Sequence, residues 1–95
     1  MLFFVKVRID TGKLKSFAQE LQNGVIRTHA ESSFCLKSDP SVGLNIWEAD
    51  SIDDLNEKLL PHKRFYKEII EISELITPQE SFRILMEEAM CKFND

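Results

Sequence analysis

Residues 2–9, LFFVKVRI, alternate with a period of two, and the two faces of that alternation differ. Phe3, Val5, Val7 and Ile9 form one unbroken apolar face, while Leu2, Phe4, Lys6 and Arg8 form a mixed one. Successive side chains of a strand point to opposite sides of its sheet. The stretch is therefore a strand with one face under a covering layer and the other against something only partly apolar. The rest of the chain must supply both covers, and 95 residues make one domain with one core, residues 1–95.

The next segments supply one cover. Asp10, Thr11 and Gly12 offer capping oxygens ahead of Leu14, Phe17, Ala18 and Leu21, which fall on one stripe of an amphipathic helix. Asn23-Gly24 ends it, glycine suiting the left-handed position past a helix terminus. Residues 25–36, rich in β-branched and small side chains, predict a second strand, bent or bulged near Ser32-Ser33. Ser38-Asp39-Pro40-Ser41 is turn chemistry, and residues 44–49 are the return strand of an antiparallel hairpin. Ser51, with Asp54 three residues on, opens a helix along Ile52, Leu55 and Leu59 that Pro61 is expected to stop. Residues 68–75 alternate again as a fourth strand. Thr77-Pro78-Gln79-Glu80 then starts a helix over about 78–93, with Phe82, Leu85, Met86, Ala89, Met90 and Phe93 on one wide apolar face.

The order β-α-β-β-α-β plus a terminal helix is the ferredoxin-like split βαβ, an α+β fold. Both of the first two helices must cover the same sheet face. The opposite face is expected to carry Phe4, Trp47 and other apolar groups, a patch too large for a monomer to expose. Packing it on a second copy gives a dimeric α+β barrel. The last helix is then expected at the barrel end or on the partner subunit, shielding a cavity.

Composition narrows the functional classes. Residues 1–37 hold six basic and three acidic residues, whereas 38–95 hold six and thirteen. Lys63-Arg64 is the longest basic cluster, so no phosphate-tracking surface is expected and nucleic acid is not a partner. The opening Met-Leu-Phe-Phe-Val is cut by Lys6, Arg8 and Asp10, too soon for a signal peptide or membrane span. The expectation is a cytoplasmic protein with Cys35 and Cys91 as free thiols; no cysteine or histidine spacing calls for a metal, and no Gly-rich loop for a cofactor.

Three stretches carry a resemblance. MLFFVKV at the start, AQELQNGVIR over 18–27 and NIWEADSIDDLNEKLLPHKRFYKEIIEI over 45–72 are similar to the corresponding segments of the muconolactone isomerase family. The similarity covers about three quarters of the chain and implies the dimeric α+β barrel fold, with homodimers or larger rings. In that family a longer, carboxylate-bearing stretch follows the first strand. Here Ile9 reaches Leu14 in five residues, so the resemblance supplies no catalytic base.

The residues themselves offer candidates. Lys6 and Arg8 could form a cationic cavity end that binds a small organic anion, or a solvated strand end. His29 could carry a proton at neutral pH or serve as a hydrogen-bonded structural histidine. Tyr66 could point its hydroxyl into a cavity or anchor helix to strand. Asn45 and Trp47, if on one face, could give a pocket an amide and an aromatic wall, or simply pack. His62, Lys63 and Arg64 suit the negative end of a helix dipole. The sequence thus predicts a binder of a small carboxylated or aromatic molecule. The alternative is an isomerase-like enzyme or cofactor-independent oxygenase acting on an aromatic-derived acid, with His29 and Tyr66 as catalytic candidates.

Overall fold

The computed structural model describes residues 1–24 and 30–93, apart from the side chains of Leu21, Glu31, Lys92 and Phe93. Four strands, β1 (Leu2–Ile9), β2 (Ala30–Cys35), β3 (Val42–Glu48) and β4 (Tyr66–Leu75), form one antiparallel sheet in the order β2-β3-β1-β4. Three α-helices join them: α1 (Leu14–Gln22), α2 (Ile52–Lys63) and α3 (Pro78–Phe93). This is the ferredoxin-like α+β arrangement, with β1 central and α3 appended after β4. No helix among the described residues is long and apolar enough to cross a membrane.

Local chemistry sets the element ends. Asp10 accepts from the Gly12 amide at 3.0 Å and caps a single 3-10 turn, Thr11–Lys13, that leads into α1. Gly24 beyond α1 has φ 72°, a conformation that costs a glycine little. Ser51 caps α2 by accepting from the Asp54 amide at 3.1 Å, and the Asp54 carboxylate reaches back to the Asp50 amide at 2.9 Å. Thr77 caps α3 through the Glu80 amide at 3.1 Å.

The core lies between one sheet face and α2. Phe3, Val5, Val7, Trp47, Ala49, Leu55 and Leu59 are all buried in it. Fully burying side chains of this size contributes roughly 1.5–3 kcal/mol each.

Three expectations change, and a fourth falls partly outside the described residues. Trp47 is not on the face opposite the helices: β1 and β3 pair Phe3 with Trp47 and Val5 with Asn45, and directly opposed residues share a face. Trp47 is therefore core, 1% exposed, and Leu44 and Ile46 take the free face instead. Both phases of β3 contain apolar side chains, so alternation alone could not set its register. Pro61 does not stop α2, which continues to Lys63. In the last turn the missing N–H removes only one intrahelical bond. β4 begins at Tyr66, two residues earlier than expected. β2 is described from Ala30 on, with a register shift between Ala30 and Ser32, and the expected strand residues 25–29 lie outside the described residues.

Candidate functional site

A cavity of about 310 Å³ opens between the sheet and the helices. Its floor explains it. Apart from Trp47, the residues of β2 and β3 facing the helices are Ala30, Ser33, Cys35, Gly43 and Asn45, all small or polar, where β1 carries Phe3, Val5 and Val7. Above them α1 brings down Phe17, while Leu14 and Ala18 of the expected stripe are exposed. Small side chains under a loosely seated helix leave a void where a core would otherwise close.

The walls are aromatic. His62 is 3% exposed in the last turn of α2, in line with Leu55 and Leu59 on the buried side. Its ring meets Trp47 edge-on at 5.5 Å, lies 6.4 Å from Tyr66 with the planes 18° apart, and stands 6.5 Å from Phe17. Phe17 also packs on Phe65 at 4.8 Å. Cavity-lining Val7 and Ile9 complete the apolar surface.

Polar groups are few and placed. Ser33 Oγ donates to Asn45 Oδ1 at 2.6 Å, its opposite number on the neighbouring strand. Burial pushes the Tyr66 hydroxyl up to about 12, so at neutral pH it is a proton donor and not an anion. Trp47 Nε1 is buried with no hydrogen-bond partner among the described residues. Among the described lining residues there is no lysine, arginine or carboxylate. Among the described residues no three His, Cys, Asp or Glu side chains converge as a metal would require.

The structure divides the sequence candidates. Asn45, Trp47 and Tyr66 all line the cavity. Lys6 and Arg8 point to the other face of β1. There Arg8 is engaged, with Nη1 2.8 Å from Asp39 Oδ2 and Nε 3.1 Å from Glu68 Oε1. Hydrogen bonding to Asp39, and then to Glu68, raises the Arg8 guanidinium above its usual value. A separate polar cleft surrounds this pair, lined also by Ser41 and Lys67. Lys6 stands opposite Glu71 on β4. His29 lies outside the described residues.

His62 is the lining residue that sequence reasoning undervalued. Its signal was present: it falls seven residues after Leu55 and three after Leu59, the spacing of one helix face. Reading Pro61 as a stop hid it.

Neither a family model nor a curated protein matches the sequence. Among solved structures, the chain is similar to 5-chloro-2-hydroxyhydroquinone dehydrochlorinase from Burkholderia phenoliruptrix, solved in complex with 2,5-dihydroxybenzoquinone. The TM-score is 0.57 at 12% identity, over 84% of this chain and 98% of that one. At that identity the likeness shows the fold alone.

Proposed function

We propose that this chain binds a small, single-ring aromatic molecule in the cavity between its sheet and helices, working as a pair of copies in the cytoplasm. One observation carries the reading: a cavity of about 310 Å³ walled by Phe17, Trp47, His62 and Tyr66 and floored by small residues. Ligand sites run from about 300 Å³ upward and combine apolar walls with a few fixed polar groups. The dehydrochlorinase of similar fold was solved with 2,5-dihydroxybenzoquinone, a single ring. Arg8 gives less support to an anion site, because a ligand carboxylate there must displace Asp39 and Glu68. The free face of the sheet, with Phe4, Leu44 and Ile46 half-buried, is the surface for the second copy.

The test uses the single tryptophan. Titrating hydroquinone, 2,5-dihydroxybenzoquinone and benzoate should change Trp47 emission and raise the melting temperature for at least one ring. At a hundred times Kd the added stability is about 2.7 kcal/mol. Unchanged emission and melting with all three rings at millimolar concentration would overturn the reading.

A second reading, an isomerase-like enzyme or cofactor-independent oxygenase acting on an aromatic-derived acid, is favoured by the His62–Tyr66 pair. A buried imidazole beside a protonated phenol can take a proton at one ligand atom and offer one at another. This reading requires His62→Gln to abolish turnover of a bound ring while Kd changes little.

A further inference from the structure

We infer that Ser33 sets the chemical preference of the cavity: by holding the Asn45 amide in one orientation, it makes the site select a ring whose oxygen accepts a hydrogen bond. The inference rests on the ring-binding reading above and adds to it the functional group that the ring must carry. Ser33 and Asn45 stand directly opposite each other on β2 and β3, on the side of the sheet that faces the helices. Both line the cavity, and Ser33 Oγ lies 2.6 Å from Asn45 Oδ1. Two oxygens at that separation need a proton between them, and a carboxamide oxygen has none, so the serine hydroxyl donates. The flipped amide would put Nδ2 at the same place, closer than the roughly 2.7 Å at which N–H···O bonds begin.

With Oδ1 committed to Ser33, the amide nitrogen and its two N–H groups remain for the cavity. Neighbouring side chains on the floor do not compete for them. Asn45 meets the apolar Val5 on its β1 side, and the flanking pairs of β2 and β3 are Cys35 with Gly43 and Ala30 with Trp47. None of these side chains carries an oxygen. Nδ2 makes no hydrogen bond among the described residues, and it is not sealed off as the Trp47 nitrogen is. Tyr66, protonated at neutral pH, brings a second donor from β4. A ring with a carbonyl or phenolic oxygen completes this arrangement. A ring that offers only N–H groups leaves the amide unpaired, and a site built around hydrogen bonds rejects such a mismatch.

Ser33 acts through Asn45 and is a positioning residue, and its effect has a definite size. One neutral hydrogen bond favours a single amide orientation about fivefold. Without the hydroxyl the two orientations come near to balance. The fraction of molecules ready for an acceptor ring then falls from about five-sixths to about one-half, and the fraction ready for a donor ring rises from about one-sixth to about one-half. Apparent affinity follows that fraction. Loss of the hydroxyl therefore costs the acceptor ring less than about twofold and gains the donor ring about threefold.

The experiment compares acetophenone, whose carbonyl only accepts, with aniline, whose amino group donates. Dissociation constants come from NMR chemical-shift titration of the full chain and of Ser33→Ala, Ser33→Thr and Asn45→Asp. Ser33 is exposed on an edge strand, so its two variants should keep the melting temperature of the unmodified chain. The expected result is a preference for acetophenone that shrinks about fivefold in Ser33→Ala, chiefly because aniline binds more tightly. Threonine, which keeps the hydroxyl, should retain the preference. Asn45→Asp puts oxygens at both positions and should invert it with the serine untouched. Equal weakening of both rings in Ser33→Ala would mark a merely structural role. That result, an unchanged preference, or no inversion by aspartate would overturn the inference and leave the cavity as a ring site. If neither ring binds any of the four proteins at millimolar concentration, the ring-binding reading and the inference fall together.

Discussion

The ring of His62 lies nearly parallel to that of Tyr66, with centroids 6.4 Å apart and planes at 18°. One ring comes from the last turn of α2 and the other from the first residue of β4, so the pair links the helix layer to the sheet where both line the cavity. Burial on this side is what pushes the Tyr66 hydroxyl up to about 12.

That shift fixes a pH dependence. Tyr66 is the one tyrosine, so its ultraviolet ionisation can be followed without interference. The folded value of about 12 lies above the ordinary 10.0, so the folded chain holds the proton more tightly than the unfolded chain. The stability linked to it is fully present below pH 10 and is lost as pH rises from 10 through 12. The loss amounts to about 2–3 kcal/mol at most. Native protein should titrate near 12 and urea-unfolded protein near 10; a native midpoint at 10 would remove the buried-phenol description of the cavity.

Trp47 combines a full core contact with a buried, unpartnered Nε1. Trp47→Phe removes the orphaned donor and keeps an aromatic ring, whereas Trp47→Ala leaves a hole. The alanine variant should cost about 3–5 kcal/mol and the phenylalanine variant clearly less, because losing an unsatisfied polar group recovers part of the packing loss. Urea denaturation of the two variants measures the difference, and equal losses would show that the indole nitrogen carries no penalty.

The fold was legible because its signals are local and mutually consistent. The alternation of residues 2–9, the Ser51 and Thr77 caps and Gly24 each mark an element that the structure contains. The site was less so. Asn45 and Trp47 share a face, the condition on which the sequence made them pocket candidates, yet which face it is depends on a cross-strand register that neither strand encodes alone. The cavity arises from an absence of bulk on β2 and β3 beneath α1, a relation among residues distant in sequence. Arg8 finds Glu68 directly across on β4 and Asp39 in the β2–β3 turn, partners that the strand register and the turn bring together from distant parts of the chain.

Asp39 is held below the usual carboxylate range chiefly by the Ser41 hydroxyl, with Arg8 second. Its Oδ1 accepts from Ser41 Oγ at 2.6 Å, and Oδ2 accepts from Arg8. A lowered folded value means stability that is present above the unfolded carboxylate range and lost as pH falls through the folded value. Ser41→Ala and Arg8→Gln should therefore each raise the Asp39 titration, as read by carboxyl NMR. An unchanged Asp39 in the Ser41→Ala variant would show that the hydroxyl does not hold the carboxylate. At pH 7 Arg8→Gln should lower the melting temperature only slightly, an effect that high salt largely removes, since the pair is partly exposed.

The continuity of α2 through Pro61 makes the sharpest stability contrast. Leu59 is fully buried and Leu60, its neighbour, is 61% exposed, so two adjacent leucines sit in opposite environments on one helix. Leu59→Ala should cost about 2–5 kcal/mol, the transfer of the side chain plus the hole it leaves. Leu60→Ala should fall within about 0.5 kcal/mol of the unmodified chain. Pro61→Ala tests the helix directly: alanine restores one amide donor but frees the unfolded chain, worth about 0.4–1 kcal/mol in the opposite sense. The two nearly cancel in a last turn, so a change within about 1 kcal/mol is expected. A gain approaching the roughly 3 kcal/mol that an interior proline costs would place Pro61 in a strained break. His62, one residue on, would then lose the continuous helix that seats it beside Trp47 and Tyr66.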